Sequence, residues 1–148
     1  MSTSRPHSSS ALRFIFFGCV IFLVSCEDSE NINPLSGSWT LKSVISQNCK
    51  DESQNFSITY PCENSNCSKY TFSENGILRI ERLTGAGTKV VEGTYTMANG
   101  TVVTNIADGE NPITRTFTFD LSEPHYLYLI EVFPRGSGKC SPTTVLKK

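Results

Sequence analysis

The chain has 148 residues, 38% hydrophobic and 18% charged, with a formal net charge of -1 and a pI near 6.1. A near-neutral balance leaves no electrostatic footprint for nucleic acid, and 10 Gly and 7 Pro exclude a collagen-like or wholly disordered chain. These averages merge two regions, because a continuous apolar run, Phe14 to Val24, lies near the N-terminus while the remaining chain alternates apolar and polar residues.

Residues 1 to 13 carry Arg5 and Arg13 and no acidic residue, and the apolar run that follows ends at Ser25-Cys26 before the acidic cluster Glu27, Asp28, Glu30. A bilayer-spanning helix needs about 20 apolar residues, so a run this short reads as a removable signal peptide over residues 1–25. The junction Leu23-Val24-Ser25-Cys26 resembles the lipobox of bacterial lipoproteins. That resemblance implies a diacylglycerol on the Cys26 thiol, cleavage before Cys26 and acylation of the new amine, by palmitate for example. Each buried methylene contributes about 0.8 kcal/mol, so two or three chains anchor firmly where one holds weakly. The lipid bilayer is thus the expected partner of Cys26. Acidic residues directly after the Cys resemble the surface-export signal of Bacteroidetes lipoproteins, although a plain solvated linker has the same composition. The expected location is the outer membrane, with outward display. Residues 26–35 then form a tether, about 30 Å long when fully extended, and Pro34 closes it. Loss of Arg5 and Arg13 with the first 25 residues takes the formal charge from -1 to -3.

With Cys19 removed and Cys26 lipidated, Cys49, Cys62, Cys67 and Cys140 remain, an even number in an exported domain, which reads as two disulfides. Three pairings exist. The short insert between Cys62 and Cys67 favours joining them, and Cys49 with Cys140 then ties the end of the first strand to the last loop. A four-thiolate zinc site is the competing reading, disfavoured by a C-x4-C spacing in an oxidising compartment.

From Ser38 onward no segment holds a helical period, and β-branched and aromatic residues recur in short alternating runs between turn signals. The first strand places Trp39, Leu41, Ser43 and Ile45 on one face. A long polar excursion from Gln47 to Cys67 follows, in which Phe56 to Tyr60 is a candidate extra strand. Ser68–Ser73 carries Tyr70 and Phe72 on one face and turns at Asn75-Gly76, read as a type I′ turn, into Ile77–Arg82. Lys89–Met97 follows, then Asn99-Gly100 and Thr101–Ile106, the clearest hairpin in the sequence. Ile113–Asp120, Tyr126–Phe133 and Thr143–Lys147 complete a count of eight. Eight short strands joined mostly by hairpins predict an all-β domain over residues 36–148, a small antiparallel up-and-down barrel that closes to remove its edges, with a sandwich as the alternative that the hairpins disfavour.

At Leu35-Ser-Gly37-Ser-Trp39 the chain resembles the opening of lipocalin-like domains, and Tyr70-Thr-Phe72-Ser-Glu-Asn-Gly76 and Val91-Glu-Gly93-Thr-Tyr95 resemble later segments of that family. The resemblance implies that Gly37 precedes strand one and that Trp39 closes the barrel floor, stacked on a basic residue from the chain's end, with Arg135, Lys147 and Lys148 all eligible. It also implies a small apolar ligand, for which Tyr70, Phe72, Tyr95 and Phe117 are the candidate lining residues.

Signals for catalysis are weak. The mature chain has one histidine, His125, at a strand start; there is no Gly-x-Ser-x-Gly elbow; and Glu81, Glu92 and Glu131 read as solvated, opposite the apolar faces. No phosphate loop, calcium loop or metal-spaced His cluster occurs, so no metal and no cofactor is expected. The expected function is a membrane-anchored, non-catalytic lipoprotein whose barrel binds a small hydrophobic molecule. The alternative is a side-chain-filled barrel acting as an interaction or envelope-structural module.

Overall fold

A computed structural model describes residues 33–62, 66–107, 109 and 111–148. The expected signal peptide, Cys26 and the acidic cluster lie outside the described residues. The strands are β1 (Gly37–Ser46), β2 (Phe56–Thr59), β3 (Cys67–Phe72), β4 (Ile77–Thr84), β5 (Gly87–Ala98), β6 (Thr101–Ala107), β7 (Pro112–Asp120), β8 (Tyr126–Glu131) and β9 (Thr143–Lys147), with a 3₁₀ turn at Glu52–Gln54. All pairings are antiparallel. The sheet runs β1-β3-β4-β5-β6-β7-β8-β9, and β9 pairs back with β1 to close an eight-stranded barrel. The candidate strand at Phe56 is real and extra: β2 pairs with the second half of β1, on the edge that β3 leaves after Thr40.

Turn chemistry sets the register. Asn99 and Gly100 both have positive φ, 50° and 72°, as a two-residue type I′ hairpin requires. The turn at Asn75-Gly76 differs from expectation. Only Gly76 is left-handed there (φ 79°), the Gly76 N–H donates to the Ser73 carbonyl at 3.0 Å, and the Ser73 N–H donates to the Ile77 carbonyl at 2.9 Å. This is a three-residue loop, a turn followed by a left-handed glycine, and the extra residue explains the departure from type I′.

The first strand also departs from simple alternation. Leu41 faces Leu146 and Ser43 faces Val145, so Lys42 is an extra residue in a bulge. One inserted residue reverses the parity of everything after it. Trp39 and Leu41 are buried as expected, but Ser43 and Ile45 are not on their face; Val44 packs on the core and Ser46 is buried instead.

One end of the barrel is filled. Leu35, Trp39, Phe72, Leu78, Val102, Leu127 and Leu146 pack there, and the segment before β1 covers it. Leu35 is 0% exposed and Asn33 donates to the Tyr95 hydroxyl, so residues 33–35, expected as the end of the linker, pack on the barrel. The Trp39 indole N–H donates to the Leu35 carbonyl at 2.8 Å, and Lys148 Nζ stands 4.9 Å from the centre of its ring. Of the three eligible basic residues, Lys148 is the one on the indole. Gly37 (φ 117°) admits this arrangement, since a Cβ there would lie 3.3 Å from Lys148 Cε.

Candidate functional site

At the opposite end the barrel is open. In that half a cavity of about 150 Å³ reaches the mouth, with Phe72, Leu78 and Leu129 below and Tyr70, Ile80, Ile106, Ile113 and Phe117 on the walls. Strand parity supplies these side chains: partners directly opposite one another in an antiparallel pair point to the same face, and Tyr70↔Ile80, Phe72↔Leu78 and Ile106↔Ile113 are such pairs. The same alternation also brings polar groups inward, at the rim on β4 and between Phe117 and Ile113 on β7. Arg82 follows Leu78 and Ile80, Arg115 precedes Phe117, and both line the cavity with Thr104 and Thr144.

Glu131 is a correction to the sequence reading. It lies opposite Phe117 in the β7–β8 ladder and shares the inner face of Leu127 and Leu129. Its side chain is only 13% exposed, and one carboxylate oxygen lies 3.8 Å from Arg115 Nε. Glu81 and Glu92 do face outward, where both pair with Arg79 at 2.9 and 3.2 Å.

Burial pushes the Tyr70 phenol above its ordinary pKa, and the positive charges of Arg82 and Arg115 oppose that shift. Both guanidinium groups are therefore close enough to one wall residue to act on its charge. Three of the four candidate lining residues, Tyr70, Phe72 and Phe117, border the cavity. Tyr95 does not. It lies lower, edge-on to Phe72 with ring centres 5.1 Å apart, and its hydroxyl donates to the Ser73 carbonyl at 2.7 Å. An aromatic at the right parity thus became part of the floor, because its phenol reaches a backbone acceptor in the β3–β4 loop.

Both disulfides sit at the mouth end. Cys49 joins Cys140, with Cα atoms 5.5 Å apart, and Cys62 joins Cys67, with Cα atoms 4.4 Å apart. Around the first bridge the Cys140 N–H donates to Gln54 Oε1 at 2.8 Å, Gln54 Nε2 donates to the Gly138 carbonyl at 3.0 Å, and the Cys49 N–H donates to Asn55 Oδ1 at 3.1 Å. His125 occupies the turn before β8 with φ 66°, at the filled end and away from the cavity. Among the described residues no group of three or more His, Cys, Asp or Glu side chains is placed to hold a metal ion.

A closed up-and-down barrel, packed at one end and open at the other, with Gly37-x-Trp39 at its floor, defines a lipocalin-like protein fold. No protein-family model matches the chain, and no curated protein matches it. Solved structures do. A lipocalin-like protein from Bacteroides uniformis is 16% identical with a TM-score of 0.48, covering 77% of this chain and 97% of its own. An uncharacterized protein from Bacteroides eggerthii is 12% identical with a TM-score of 0.51, covering 77% of this chain and 98% of its own. At 12% identity the likeness to the second is one of fold.

Proposed function

We propose that this protein is a non-catalytic, lipid-anchored binder of one small molecule with a largely apolar body. The observation that carries the binding reading is the cavity of about 150 Å³, apolar below and open to solvent above. An apolar cavity of about that size accommodates a molecule such as benzene, whereas drug-sized ligands need roughly 300–1,000 Å³. The lumen therefore seats one ring or a short chain, and the rest of a larger ligand projects from the mouth. The charge, length and Ser25-Cys26 junction of the first 26 residues support the lipid anchor and an outer-membrane location. A filled barrel serving as an interaction module is the second reading, favoured by how much of the interior is already side chain.

Native mass spectrometry of protein purified from its own envelope tests the binding reading. A small-molecule mass adduct is expected, and it disappears in Ile106→Trp, whose indole occupies the lumen. Identical ligand-free spectra for both proteins would favour the filled module.

A further inference from the structure

The cavity is apolar below but carries charge at its mouth. Arg82 comes from β4 and Arg115 from β7, with β5 and β6 between them in the sheet, so the two side chains reach the lumen from separate parts of the wall. Both act electrostatically on the Tyr70 phenol. Glu131 shares the inner face through its pairing with Phe117, and its carboxylate lies 3.8 Å from Arg115 Nε, an ion pair beyond hydrogen-bond reach that leaves Arg115 52% exposed. Arg82 also has an interaction of its own, which makes Arg115 the principal group. Arg115, half exposed, stands where a low-dielectric cavity meets water. There a charge-assisted contact is strong, and the planar guanidinium fork matches an acid group with paired N–H donors. A purely apolar ligand would use none of these groups.

We infer that the ligand is a small organic anion, with its apolar end over Phe72, Leu78 and Leu129 and its acid group at the mouth beside Arg115, facing Arg82 and the Tyr70 hydroxyl. This inference rests on the lumen being a ligand site. Thr104 and Thr144 also border the cavity, and the Thr104 hydroxyl donates to the Arg115 carbonyl at 3.5 Å, tying the β6 wall to the backbone that carries the guanidinium.

Isothermal titration calorimetry of the full chain with phenylacetate and with its neutral isostere phenylacetamide tests the assignment. The anion is expected to bind about ten- to a hundredfold more tightly, with a preference that weakens as salt is added. Arg115→Gln is expected to abolish the preference by weakening phenylacetate about ten- to a hundredfold, with an unchanged urea midpoint reporting that the variant folds. Equal binding of the two probes overturns the anion assignment and leaves the lumen reading standing. Failure of both to bind overturns the lumen reading and the anion assignment with it.

Discussion

Replacing Cys49 and Cys140 together by alanine removes a cross-link between residues 91 positions apart. In the chain-entropy model the loss of loop closure in the unfolded chain amounts to about 4.5 kcal/mol for a loop of this length. The same expression gives about 2 kcal/mol for the Cys62–Cys67 bridge, whose separation is 5. For a domain of this size about 4.5 kcal/mol lowers the melting temperature by roughly 15–20 °C. Urea unfolding of the parent and of the two double-alanine variants measures the two free energies, and thermal melts measure the temperature shift. The long-loop variant is expected to lose about twice as much stability as the short-loop variant and to show a steeper denaturant slope, because its unfolded chain expands and exposes more surface. Equal losses in the two variants, or a loss below about 1 kcal/mol for Cys49/Cys140, would refute the unfolded-state argument and move the effect of the bridge into native packing.

Gly93→Ala is expected to cost about 1–3 kcal/mol or more, since its Cβ would lie 2.2 Å from the Asn105 carbonyl oxygen and 2.8 Å from Ile106 Cα, both backbone atoms of β6. Gly85→Ala is the control, with nothing within 4 Å of its added Cβ; a urea midpoint for Gly93→Ala no lower than that of the control would contradict the clash. The Tyr128 phenol is pushed up to about 12, chiefly by its hydrogen bond to the Glu123 carboxylate. That bond favours the protonated phenol, so its contribution is complete below the ordinary phenol range near pH 10 and is lost as pH rises through about 12. In a tyrosinate absorbance titration, Glu123→Gln should move one late-titrating tyrosine back toward the ordinary range, and an unchanged curve would remove Glu123 as the cause. Cys26→Ala should move the protein from the membrane to the soluble fraction, and continued membrane recovery would argue against acyl anchoring.

The barrel was legible in the sequence because its determinants are local. Apolar alternation in Tyr70-Thr-Phe72 and Thr116-Phe117-Thr118-Phe119, together with Asn99-Gly100, specifies strands, inner faces and one hairpin without long-range information. The Lys42 bulge was not legible, since nothing in Leu41-Lys42-Ser43 marks the extra residue; the offset appears only when β9, a hundred positions away in sequence, docks on β1. Similarly, Tyr95 and Phe117 look alike along their strands, and only the acceptor at Ser73 separates a floor residue from a wall residue. The charged mouth left a signal that simple amphipathic reading discards. Arg82 and Glu131 each continue the parity of an inward apolar run by one more step toward the rim, and Arg115 interrupts such a run between Phe117 and Ile113; at these positions the step still points inward.

A sheet rolled into a barrel has one joint that hairpins cannot make, where its first and last strands meet. Here that joint is β1 against β9, and Cys49 and Cys140 flank it, three positions beyond Ser46 and three before Thr143. The bridge turns a sheet that could unroll from that seam into a covalent ring. Opening at the mouth should then proceed by strands bending outward individually, with the circumference of the entrance conserved. In a reducing solution the seam would be expected to part first, so amide exchange along β1 and β9 should be the earliest readout of lost oxidation.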